Sequence, residues 1–117
     1  MPLSSFDFQQ ARVKQVLFKS RLRSVLYGVR EAEPTLFSYA DNALGQWIQT
    51  SLRPEMGHLP AVQELERTVQ QMLRTGQELA TRYQRGQIEE ARTGLDKINT
   101  FADQIEGQLQ GLERGAR

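Results

Sequence analysis

Residues 88–112 read IEEARTGLDKINTFADQIEGQLQGL. Ile88, Ala91, Leu95, Ile98, Ala102, Ile105, Leu109 and Leu112 follow one another at alternating steps of three and four. Such steps put one apolar stripe along a helix and match the seam of helices that pack at shallow angles. The preceding segment repeats the pattern through Val62, Leu65, Val69, Met72, Gly76, Leu79 and Tyr83. Only Arg85 and Gly86 separate the two stripes, and a connection that short forces the helices to run antiparallel. Gly86 supplies the left-handed backbone that ends a helix.

Working towards the N-terminus, Arg53-Pro54-Glu55-Met56-Gly57-His58 carries two breakers and is expected to be a loop. Leu36, Phe37, Ala40, Ala43, Leu44, Trp47, Ile48 and Leu52 supply the apolar face of another helix, with Pro34 in its first turn. Asp41 or Ser38 offers a later cap that would divide it in two. The first helix has Ser4 or Ser5 as its cap, Asp7 in its first turn and Gly28 at its end. Its core stripe is Ala11, Phe18, Leu22 and Val25, and the polar Gln15 sits on the same stripe. Nothing alternates with period two over a strand's length. The expected fold is an all-α antiparallel four-helix bundle with helices at 5–28, 34–52, 60–85 and 87–112. Residues 1–117 form one domain, and 114–117 a frayed tail.

Composition agrees with a soluble globular chain: 117 residues, 38% hydrophobic, 25% charged, net charge +1. No apolar run is long enough to span a membrane, and Met1 to Phe8 lacks the basic start and apolar stretch of a secretory signal. The cytoplasm is the expected compartment, and Met1 favours a free-standing chain. With no Cys there is no disulfide, thiolate nucleophile or Cys-based zinc site. The single histidine, His58, has no ligand or base partner nearby in sequence. Gly45, Gly57, Gly76 and Gly86 are isolated and cradle no phosphate. Adjacent acids such as Glu89 and Glu90 point apart on a helix. No catalytic constellation emerges, so a non-enzyme with no cofactor is expected.

Charge is unevenly placed. Arg12, Lys14, Lys19, Arg21, Arg23 and Arg30 lie in a stretch free of acids, while Glu89, Glu90, Asp96, Asp103, Glu106 and Glu113 crowd the end. A basic and an acidic helix packed as neighbours, or outer faces that are simply solvated, account for this. The alternative is an anionic surface, nucleic acid or lipid, bound by the first helix, which near-zero net charge disfavours.

Three stretches together resemble one known family. Val16 to Gly28, Ala43-Leu44-Gly45-Gln46-Trp47-Ile48, and Gly57-His58-Leu59-Pro60 followed by Glu64-Leu65-Glu66-Arg67 are similar to the chemoreceptor zinc-binding (CZB) domain. The likeness spans about residues 6–110, and Leu44-Gly45-x-Trp47 is its most distinctive element. It implies a four-helix bundle of bacterial signalling proteins, attached to chemoreceptors or diguanylate cyclases and often dimeric. In that family three His and one Cys hold zinc. The corresponding positions here are Gln15, Asn42, Val69 and Leu73, so all four ligands are absent. Two of these residues are hydrocarbons with no donor atom. Gln15 and Asn42 are buried amides expected to bond to each other or to backbone, since an unpartnered amide costs roughly 1–3 kcal/mol. The expected function is a metal-free regulatory or protein-interaction module of chemotaxis or cyclic-di-GMP signalling. Its partner would be a second copy or a helical signalling protein. The alternative is a small-ligand sensor that reuses the vacated zinc site through Gln15 and Asn42.

Overall fold

The computed structural model describes residues 3–115. Helix α1 (Ser5–Leu26) starts at a reciprocal cap. Ser4 Oγ accepts from the Asp7 amide, and the Asp7 carboxylate accepts from the Ser4 amide and hydroxyl. Those bonds favour the charged carboxylate and hold Asp7 below the usual carboxylate range. Tyr27 caps the far end, two residues short of the expected boundary, and Gly28 follows at φ +75°. Arg92 reinforces that end by donating to the Leu26 carbonyl at 2.9 Å.

The segment expected as one helix over 34–52 is divided. Helix α2 (Pro34–Phe37) is a single turn. The chain then folds back, with Asn42 N–H donating to the Ser38 carbonyl at 2.7 Å. Helix α3 (Ala43–Trp47) starts at Asn42, whose Oδ1 accepts from Leu44 and Gly45. The cap is therefore Asn42, not Asp41 or Ser38. A π-helical turn, Ile48–Leu52, leads into α4 (Arg53–Met56), so the first part of the expected loop is helical. Pro54 removes an amide that a continuous α-helix would use, and the widened turn lies directly before it.

Helix α5 (Pro60–Gln84) matches expectation within a residue. Gly86 follows at φ +83°. The last expected helix is two pieces, α6 (Ile88–Thr93) and α7 (Leu95–Gly115). Between them a Cβ on Gly94 would overlap Leu79 Cδ2, so the glycine lets α5 approach closely. Arg114 and Gly115 are helical, not frayed; 116–117 lie outside the described residues.

All described secondary structure is helical and packs in a bundle-like way, with α5 along α6 and α7, and α1 against α3, α5 and α7. Tertiary contacts order the helices. Thr68 meets Gln108 and Leu79 meets Gly94, while Gln15 meets Met72 and Phe18 approaches Gly76. The described chain measures 47 × 21 × 21 Å. Its core includes Phe8, Phe18, Leu22, Leu65, Ile98 and Ile105, and Phe8 meets Trp47 edge-on at 5.7 Å. The expected pairing of basic and acidic helices is realised at Arg12, which bonds Glu106 at 2.9 Å and Glu113 at 2.8 Å. No described helix is long and apolar enough to cross a membrane.

Candidate functional site

The polar residues in the core form the candidate site. Gln15 projects from the core face of α1 and is 7% exposed. Its Nε2 donates to Met72 Sδ at 3.4 Å, and its Oε1 has no hydrogen-bond partner among the described residues. Thioether sulfur is a weak acceptor, so the amide is poorly compensated on both ends. Nearby on α5, the Thr68 hydroxyl donates to the Glu64 carbonyl and accepts from Gln108 Nε2, both at 3.0 Å. Gln108 Oε1 is a second buried oxygen without a partner among the described residues. Two amide oxygens in the core thus find no hydrogen-bond donor among the described residues.

Sequence reasoning found Gln15 but missed Thr68 and Gln108. The same signal marks all three. Thr68 lies three residues after Leu65 and four before Met72, and Gln108 three after Ile105 and four before Leu112. Each is a polar side chain on an apolar stripe.

The other singled-out positions separate into different jobs. Val69 and Leu73 are core residues, 0% and 1% exposed. They stand one turn apart on α5, on either side in sequence of the Met72 that Gln15 contacts. Asn42 is buried but fully occupied as a cap. Its Nδ2 donates to the Leu36 carbonyl at 2.8 Å and its Oδ1 serves the two amides of α3. Of the two partners expected for these amides, each other or backbone, Asn42 takes backbone, and Gln15 takes the Met72 sulfur instead. Asn42 instead borders an open surface cleft of about 190 Å³ with Lys14, Phe18, Leu36 and Asp41, and Gln15 does not line it.

Leu44, Gly45 and Trp47 have packing roles. Leu44 and Trp47 are buried. A Cβ on Gly45 would collide with the Tyr39 carbonyl oxygen. Gln49 Nε2 clamps the same approach, donating to the Tyr39 carbonyl at 3.1 Å and the Gly45 carbonyl at 3.0 Å. Tyr39 also donates its hydroxyl to Glu66 at 2.9 Å, and burial together with that acceptor raises its pKa well above the phenol range.

Gln15, Asn42, Val69 and Leu73, the four positions singled out by the resemblance, do not suit zinc. Val69 and Leu73 have no donor, and the Asn42 oxygen is already committed to backbone amides. Among the described residues no group of three or more His, Cys, Asp or Glu could hold a metal ion. His58 is exposed beyond α4.

Gln15→Leu tests what the amide costs. Leucine fills a similar volume and removes an unpartnered polar group, so stability should rise by about 1 kcal/mol. A melting temperature higher by roughly 4 °C, followed by circular dichroism, is the expected result. A drop of several degrees would show that the amide is a structural requirement.

Comparison of the chain with protein-family models, with curated proteins and with solved structures finds no match.

Proposed function

We propose that this chain is a metal-free regulatory and protein-interaction module of bacterial signalling, similar to the CZB domain and without catalytic activity. The observation that carries the metal-free part is the burial of Val69 and Leu73 as packing groups where the resemblance implies zinc ligands. Two buried aliphatic side chains contribute about 1.5–3 kcal/mol each, which offsets the loss of a metal cross-link. The contacts Thr68–Gln108, Leu79–Gly94 and Gln15–Met72 support an antiparallel four-helix bundle as its architecture. The packing roles of Leu44, Gly45 and Trp47 support the resemblance at its most distinctive element. The cytoplasm is the proposed compartment. The partner is a helical segment of a signalling protein or a second copy.

Thermal melting with excess zinc and with a chelator tests this reading. The two curves should agree within about 2 °C, less than a change of 1 kcal/mol would produce. A zinc-induced rise beyond that would overturn it. The small-ligand alternative draws on one observation, the unpartnered oxygens of Gln15 and Gln108. Met72 takes the Gln15 amide, Thr68 takes that of Gln108, and Gln15 does not line the cleft beside Asn42, so no concavity gathers these groups and the sensor reading is the weaker of the two.

A further inference from the structure

Helix α1 carries a second apolar stripe, on the side away from the core. Phe6, Val13, Leu17, Ser20, Ser24 and Tyr27 lie at steps of seven, four, three, four and three. Steps of four and three keep them on one helical face, whereas the core face runs through Ala11, Gln15, Phe18 and Leu22. Phe6 is 69% exposed, and Val13, Leu17 and Tyr27 are each more than 40% exposed. Val16, 66% exposed, widens the stripe. The spacing is that of a coiled-coil seam about 30 Å long, on which Gln10 also falls. At its far end Arg92 and Arg23 lie over the Tyr27 ring, 4.2 and 5.5 Å from its centroid, while Phe6, Val13 and Leu17 stay exposed.

The edges of the seam carry three cations and one acid, Asp7, whose carboxylate is bonded to Ser4. Taking Val13 and Leu17 as seam positions puts Lys14 and Arg21 on one flank and Arg23 on the other. Flanking charges choose the partner of a coiled coil. Among the described residues none of these three is ion-paired. In a parallel pair of copies Lys14 would face Gln9, Arg21 would face Val16 and Arg23 would face Gly28, so a second copy leaves these cations without carboxylate partners. A membrane needs a broader apolar face than one interrupted by Ser20 and Ser24.

We infer that the outward stripe of α1 is a docking site for an amphipathic helix of another protein, apolar along its seam and acidic on both edges. This rests on the interaction-module reading and names the face and the chemistry of the partner. The cations would meet carboxylates across the seam, and the two serines would let the partner's larger side chains approach.

The test uses the whole chain and two synthetic 28-residue helical peptides, identical in a leucine seam, with Glu or Lys on both edges. Labelled peptide is followed by fluorescence anisotropy. The Glu-edged peptide should bind at least about tenfold more tightly than the Lys-edged one, and salt should weaken it. Lys14→Glu with Arg21→Glu should reverse the preference. Val13→Glu with Leu17→Glu should abolish binding while leaving the melting curve unchanged, because both sites are exposed. Equal binding of the two peptides overturns the inference. So does binding that survives Val13→Glu with Leu17→Glu, which would leave an interaction module working through another face. Self-association in sedimentation that this double substitution removes would assign the face to a second copy. Flotation with phosphatidylserine vesicles that it removes would assign it to a membrane. Failure of both peptides to bind a chain that also stays monomeric would overturn the interaction reading itself.

Discussion

Gly45→Ala should lower the melting temperature by about 8–16 °C, the largest loss expected from removing no atom of the protein. The added methyl group would overlap the Tyr39 carbonyl oxygen, with the Tyr39 carbonyl carbon 3.0 Å away. A flexible side chain could swing aside, but this obstacle is backbone. Tyr39 is held by its own bonds, its hydroxyl on Glu66 and its carbonyl on Gln49. Relief would pull α3 from the turn before it and disturb the cap at Asn42, which serves the Leu44 and Gly45 amides. Overpacking of this kind costs typically about 1–3 kcal/mol, and a lost cap adds about 1 kcal/mol. At roughly 4 °C per kcal/mol the sum gives the expected shift. Gln46→Ala, on the exposed side of the same turn, serves as the control and should change little. A Gly45→Ala protein that melts with the parent would mean that the close approach of Tyr39 and α3 is unimportant.

How much of this was legible depends on whether the deciding contact is local. The stripes of α5 and of α6 with α7 were readable because burial of one face imposes a period on the chain itself. A cap at Ser4 or Ser5 and the helix ends at Gly28 and Gly86 are readable for the same reason, since each is decided within a few residues; the reciprocal bond between Ser4 and Asp7 is a finding of the structure. The break at Gly94 was not. It exists because Leu79, fifteen residues earlier, needs room there. Apolar residues run on through the second segment, so periodicity alone does not reveal that Asn42 restarts the helix or that the chain widens into a π turn before Pro54. In the candidate site Gln15 stood out from its stripe, yet its partner Met72 lies fifty-seven residues away. Asn42 looked similar and is a cap. The difference is where its backbone neighbours turn, which composition does not encode.

The largest zinc-dependent gain expected of any variant comes from placing at once the four ligands that the proposed resemblance implies: Gln15→His, Asn42→Cys, Val69→His and Leu73→His. Three of the changes, those at Asn42, Val69 and Leu73, remove something the fold now uses. Two imidazoles would enter the hydrocarbon packing around Met72, and the cap of α3 would be lost. Without metal the variant should be strongly destabilised, since buried polar groups without partners cost roughly 1–3 kcal/mol each. A tetrahedral zinc site contributes several kcal/mol or more to folding. Zinc should then restore much of the stability only if the four positions converge on one point. The variant that lacks Asn42→Cys should respond less, having three ligands.

The most direct measurement is therefore the melting curve of the four-ligand variant with and without zinc, with the bound metal counted. A bundle whose zinc site has been replaced by packing should give one zinc per chain and a rise of more than about 10 °C, while the unaltered chain binds none. A four-ligand variant that stays indifferent to zinc, folded or unfolded, would contradict the descent of Gln15, Asn42, Val69 and Leu73 from a single metal site.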